Sequence, residues 1–340
     1  MKIISNPANR FLSEQRELID SSSQTKITVY HEHAKSILSR NDSPDLPFRW
    51  SLNPYRGCFH ACAYCYARPT HEYWGFGAGT DFDSKLVAKT NAPQQLQHTL
   101  NKRSWKGELI VFSGNTDCYQ PIESTYRLTR ACLAVCQAYH NPVGIITKSP
   151  LILHDQDILH QLHNEAWLRV YFSIPFAKNE TARKVEPQAP SISRRFEAME
   201  QLSRLGIPTA VSLAPIIPGL NEEDIPTILR MAHDAGATTA TYSLLRLNGN
   251  VEPVFIERMT KQFPDRIQKI LNRLRELRHG AVSEEKFFAR QNGHGTTWHI
   301  IEQLFQLSCK QLGFRSHDTH AIPHTFRRPG PQQTHLFHDM

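Results

Sequence analysis

From residue 49 the chain alternates short runs rich in Val, Ile, Phe and Thr with longer stretches whose apolar residues recur at helical spacing, each closed by Gly, Pro or Asn. The runs predict strands over 49–53, 108–113, 143–147, 168–174, 209–215 and 239–245. The stretches between them predict helices over 122–139, 150–163, 191–205 and 223–235, the third stopped by Gly206, a residue free to take the left-handed turn that ends a helix. Six strand and helix units in succession with compact connections imply a parallel sheet. The expected fold is α/β, a partial (β/α)6 TIM-like barrel; a doubly wound open sheet is the other arrangement these units allow. In a barrel of this kind the chemistry sits just past the C-terminal strand ends.

Residues 1–47 mix Asn, Pro, Ser and charges without a sustained period and read as an N-terminal extension, an extended arm with at most a short helix. Residues 48–250 form the expected core domain. Residues 251–340 are a C-terminal helical extension, with helices over 253–279 and 296–312, and a tail, FRRPGPQQTHLFHDM, expected to pack back on the barrel or cover its mouth.

Composition narrows the class. With 340 residues, 40% of them apolar, the chain can bury one large core. No apolar run is long enough to span a bilayer and MKIISNPANR lacks a hydrophobic signal region, so a cytoplasmic protein with no membrane partner is expected. Lys and Arg outnumber Asp and Glu by 39 to 32, and the formal charge of +7 is dispersed along the chain. Such a surplus attracts phosphate-bearing partners, nucleic acid among them, and equally describes an ordinary basic surface.

The seven cysteines are odd in number and three crowd into the segment GCFHACAYC, which suits metal ligation in a reducing compartment better than disulfides. Cys58, Cys62 and Cys65 follow the first predicted strand at once. Thiolates suit iron-sulfur clusters, and a four-iron cluster takes four ligands, so a triplet leaves one iron open. Two alternatives stand beside this: Cys118 could close the cluster, or a zinc ion could be completed by His60 or His71. His294, His299, His317, His320, His324, His335 and His338 show no paired metal-ligand spacing and read as a solvated, mildly basic tail.

A CxxxCxxC loop with an aromatic, Tyr64, before its third cysteine resembles the radical S-adenosylmethionine superfamily. The stretches YCYARPTHEY, SGNTDCYQPIE, ITKSP, EPQAPSISRRFEAMEQL, APIIPGLNE and FRRP extend the likeness over nearly the whole chain, toward bacterial proteins grouped with spore photoproduct lyase as DNA repair photolyases. The resemblance implies that Cys58, Cys62 and Cys65 ligate a 4Fe-4S cluster and that S-adenosylmethionine chelates the fourth iron. An electron from a donor such as flavodoxin or ferredoxin would then release a 5'-deoxyadenosyl radical that takes hydrogen from a substrate, a nucleic-acid lesion or nucleotide being the first candidate.

It further implies that Thr116 and Asp117 meet the methionyl ammonium, that Ser173 meets the ribose or carboxylate and Arg195 the carboxylate, and that Tyr64, Ile216 and Ile217 lie near adenine. Lys148 ends a strand where it could meet a carboxylate or phosphate. The cysteine with which the lyase returns hydrogen to its product has its counterpart at about Gly114, which leaves Cys118 as a displaced hydrogen donor. A non-catalytic 4Fe-4S redox sensor or nucleic-acid-binding protein is the alternative function.

Overall fold

The computed structural model describes residues 27–315 and 322–329. Its strands are β1 (Thr28–Glu32), β2 (Leu38–Arg40), β3 (Trp50–Leu52), β4 (Tyr55–Arg56), β5 (Lys85–Lys89), β6 (Ile110–Phe112), β7 (Val143–Thr147), β8 (Leu168–Ser173), β9 (Thr209–Ile216) and β10 (Thr239–Leu244). Seven form one sheet in the order β10, β9, β8, β7, β6, β3, β2. All neighbours in it run parallel except β2 on β3. With β2 and β10 at opposite ends of the order the sheet curls without closing, which is the partial barrel expected from the alternation of strands and helices.

Alternation along the strands separates two faces. Phe112, Ile145, Phe172 and Val211 are 0% exposed and belong to the main apolar core. Their neighbours Val111, Gly144, Tyr171, Ser212 and Ala214 line a cavity on the opposite face. Closed barrels fill this space with branched residues; here Gly, Ser and Ala leave it hollow.

The helices differ from their predicted spans where a side chain replaces a backbone partner. The stretch 122–139 breaks at Arg127, which takes a left-handed conformation (φ 51°), into Glu123–Tyr126 and Leu128–Ala138. The Glu123 carboxylate accepts from the backbone N–H of Thr129 (3.0 Å) and Arg130 (3.1 Å), and so caps the second helix from within the first. Helix Ile192–Arg204 begins at Ser191, whose hydroxyl accepts from Arg194 N at 3.4 Å, and stops at left-handed Gly206 as predicted. The C-terminal stretch 253–279 is two helices, Val251–Gln262 and Ile267–Leu277; Gly295–Leu312 packs on Ile225–Asp234.

The arm is more firmly built in than its composition suggested. β1 pairs in parallel with β5, and β2 extends the main sheet. Both strands are short and largely exposed, so neither carries the apolar alternation that would announce it. The rest of the arm, residues 1–26, lies outside the described residues, as do His317, His320, His335 and His338. Tail residues 322–329 pack on the barrel at the end opposite its mouth. The Phe326 ring stacks 6.2 Å from Tyr139, Arg327 N donates to Tyr139 O (3.0 Å) and Arg328 donates to Lys102 O (2.7 Å). Among the described residues no helix is long and apolar enough to cross a membrane.

Candidate active site

The cysteine loop leaves β4 through Gly57, at φ 69°, where an added Cβ would come within 3.0 Å of the carbonyl oxygens of Phe82 and Lys85. Only glycine allows this approach. Gln120 then braces the loop from below: its amide donates to Gly57 O (3.0 Å) and its carbonyl accepts from Phe59 N (3.1 Å). Arg68 holds the other end. Fully buried, it donates to Cys62 O (2.8 and 3.1 Å), Ala78 O and Gly79 O (2.9 Å each) and pairs with Asp83 at 2.9 Å. A guanidinium whose donors are all spent on fixed acceptors makes this loop rigid before any ligand arrives.

Cys58, Cys62 and Cys65 thereby lie on one wall of a cavity of about 220 Å³ at the C-terminal ends of the parallel strands. The rest of the described lining includes residues at or past those ends: Thr116 and Asp117 after β6, Lys148 after β7, Ser173 of β8, Ser212 and Ala214 of β9, and Arg246 after β10. A second cavity of about 380 Å³ lies beneath and shares Ile146, Ser212, Ala214 and Ser243 with the first, so the lumen is continuous.

Of the residues singled out in the sequence, Tyr64, Thr116, Asp117, Lys148 and Ser173 line the cysteine cavity. Thr116 accepts from Asn53 at 2.7 Å and donates to Tyr55 O at 3.1 Å. Asp117 accepts from Thr147 Oγ1 (2.8 Å), Lys148 N (2.7 Å) and Tyr119 N (2.9 Å). The remaining four are absent from the described lining. Arg195 is fully buried and spent on Glu186 (2.5 Å), Ser173 O (3.0 Å) and Pro190 O (2.9 Å). Ile216 and Ile217 are 2% and 0% exposed in the core. Cys118 is 0% exposed, with its backbone N–H on Ser113 Oγ (2.9 Å) and its carbonyl on the Thr129 hydroxyl (2.7 Å). The turn after β6 directs it into the core, which corrects the expectation of a thiol at the mouth.

Glu186 and Arg246 were missed, whereas His60, singled out in the sequence as a zinc ligand, does line the cavity. Glu186 is the hub behind the wall: its carboxylate takes the Tyr64 hydroxyl, pairs with Arg195 and lies 4.0 Å from Lys148 Nζ. Burial alone would raise its pKa, but the Arg195 and Lys148 charges outweigh burial and hold the carboxyl below its usual range. Lys148 also sits over the Tyr64 ring at 5.8 Å. His60 is buried 3.5 Å from Asp117, and burial pulls its pKa down to about 4. Glu186 opens the EPQAPSISRR stretch but carries no spacing signal; Arg246 stands two residues past the last strand, a place that could have flagged it.

The thiols fit a cationic iron-sulfur core. Burial raises the pKa of all three, Cys62 to about 12, and for Cys58 the charges of Asp117 and the other two thiols raise it further. Thiolates here need a bound cation to neutralise them. Among the described residues no group of three or more His, Cys, Asp or Glu side chains forms a single-ion site. Cys118 and His71 are both absent from the described lining, and His60, which is on it, makes no three-residue metal site with the cysteines, so neither the closed cluster nor the zinc site is assembled among the described residues.

Comparison with known proteins agrees. Residues 52–232 match the radical SAM superfamily. An uncharacterized protein of Mycobacterium tuberculosis is 34% identical over 254 residues, 74% of each chain, and one of Methanocaldococcus jannaschii is 30% identical over 196 residues, 58% of this chain and 70% of that one. A radical SAM Nalpha-GlyT isomerase of Pseudomonas phage M6 is 23% identical over 282 residues, 82% of this chain and 54% of that one. In three dimensions the chain superposes on a spore photoproduct lyase complexed with dinucleoside spore photoproduct, with TM-score 0.64 and 16% identity over 89% of this chain and 86% of that one. A doubly substituted variant of the lyase, with bound AdoMet and dinucleoside spore photoproduct, gives TM-score 0.63 at 15% identity over the same shares. The three cavity-facing cysteines, the open parallel barrel and the match across its core together place this chain in the radical SAM superfamily, whose enzymes use a 4Fe-4S cluster and S-adenosylmethionine.

Proposed function

We propose that the protein reductively cleaves S-adenosylmethionine and abstracts hydrogen from a nucleic-acid lesion or a nucleotide. The observation that carries the reading is that Cys58, Cys62 and Cys65 line one cavity together with Lys148, with no fourth cysteine on the described lining. When bound, the cluster supplies the electron that breaks the sulfonium bond, and the resulting 5'-deoxyadenosyl radical takes hydrogen from the substrate.

The chain's own residues hold and orient. Cys58, Cys62 and Cys65 would ligate three irons. Lys148, the ammonium on the cavity wall, is the better partner for the methionyl carboxylate, since Arg195 already spends its donors on Glu186 and two carbonyls. The Thr116 carbonyl and Asp117 offer oxygens toward the methionyl ammonium, and the Tyr64 ring, held by its hydroxyl on Glu186, offers a face for adenine. A low-potential donor such as flavodoxin or ferredoxin would supply the electron in the cell. Support for a nucleic-acid or nucleotide substrate comes from the fold shared with the spore photoproduct lyase bound to its dinucleoside.

The test is anaerobic reconstitution followed by dithionite. The protein should release 5'-deoxyadenosine, faster when its substrate is present, and Cys62→Ala should abolish release. Protein carrying a full four-iron complement that yields none would overturn the proposal.

A further inference from the structure

Two cations line the cysteine cavity, and they are balanced differently. Lys148 has Glu186 4.0 Å behind it. Arg246 lies over the Tyr66 ring at 5.9 Å, and its Nε is buried without a hydrogen-bond partner. Among the described residues its guanidinium makes no hydrogen bond or ion pair. The arginines beside it are committed: Arg290 pairs with Asp45 at 2.5 Å, and Arg278 donates to Leu245 O (2.5 Å) and Val282 O (2.8 Å). Burial and the charge of Arg290 pull the pKa of Arg246 down, yet a guanidinium stays protonated, so the fold holds this charge against a desolvation penalty.

The cofactors do not neutralise it. An oxidised four-iron core with three thiolates is an anion and S-adenosylmethionine is a cation, so together they bring no net charge into the cavity. Asp117, the one carboxylate on the described lining, makes no ion pair with Arg246; it accepts from Thr147, Lys148 N and Tyr119 N on the cysteine side of the cavity, where the methionyl ammonium would meet it. The cavity beneath has no charged residue on its described lining and offers Tyr171, Tyr242 and small polar groups. One unmatched guanidinium at the rim above a neutral, partly aromatic chamber defines a ligand with one anionic end.

We propose that Arg246 anchors an oxyanion of the substrate, a carboxylate or a phosphate, while the uncharged part of the substrate extends into the lumen. The planar fork of a guanidinium binds either group through two parallel hydrogen bonds, and Tyr66 fixes its plane from one side. The proposal rests on the radical reading of the same cavity, because it counts the charge that the cofactors bring.

Inorganic phosphate and acetate are the probes, one for each source of the oxyanion. Each is titrated calorimetrically into anaerobically reconstituted protein holding S-adenosylmethionine. One of them should bind, and Arg246→Gln should weaken that binding at least tenfold, with Arg246→Lys intermediate. In the wild-type protein phenylglyoxal should modify Arg246 before Arg278 and Arg290, read by peptide mass spectrometry, and the bound anion should slow that modification several-fold. Anion binding unchanged in Arg246→Gln, or modification that neither anion slows, overturns the anchor. Loss of S-adenosylmethionine affinity in Arg246→Gln with anion binding kept would make Arg246 a cofactor residue and overturn it as well. Failure of the wild type to hold S-adenosylmethionine would instead overturn the radical reading on which the anchor rests.

Discussion

Gly114 stands at about the position to which the resemblance assigns the lyase's hydrogen-donor thiol, and a side chain there would meet a close neighbour. A Cβ at Gly114 would stand 2.7 Å from Ser51 Cβ and 3.0 Å from its hydroxyl. Overpacking of this kind costs about 1–3 kcal/mol. Gly114→Cys should therefore lower thermal stability by that amount, and Ser51→Gly in the same chain should recover most of it. A Gly114→Cys protein as stable as the wild type would show that Ser51 is not the obstacle. Cys118 is no substitute, because it is enclosed in the core. Residue type was legible in the sequence and burial was not. An arginine in SISRR and a lysine in ITKSP look equally free on paper, yet one is locked to Glu186 and the other faces the cavity. Distinguishing them needs knowledge of which acid lies behind which base, and no local pattern carries that.

At the scale of elements, Glu186 joins four pieces of chain. It follows helix Asn179–Val185, holds Arg195 of helix Ile192–Arg204, receives the hydroxyl of Tyr64 from the cysteine loop and stands behind Lys148 at the end of β7. A buried pair broken on one side costs about 3–5 kcal/mol, since an uncompensated charge remains. Glu186→Gln should lose that much in denaturant unfolding, and Glu186→Gln with Arg195→Met should lose less than the two single variants summed. Strict additivity would mean that the elements are held together by something else. The six barrel strands were readable because each is an apolar run between turn residues. β4 was not, with only two residues, and β5 was not, because its apolar residues are bracketed by lysines, of which Lys89 is nonetheless buried. The break at Arg127 was hidden for another reason: Glu123 caps the following helix through its side chain, which hydrophobic spacing cannot report.

For the whole molecule, the sheet order leaves the barrel open between β2 and β10, and small residues on its inner face leave the lumen hollow. The tail segment 322–329 packs at the opposite end, so among the described residues the mouth is formed by the cysteine loop and the strand ends. Chain order announced the fold class. The depth and charge of the lumen depend on which face each strand residue takes and on partners far away in sequence, so they became visible only in three dimensions. The central claim is a cluster on three cysteines with one iron left for S-adenosylmethionine, and electron paramagnetic resonance of the reduced, reconstituted protein tests it most directly. Adding S-adenosylmethionine should shift the g-values of the cluster signal, whereas a spectrum unchanged at saturating S-adenosylmethionine would contradict the account.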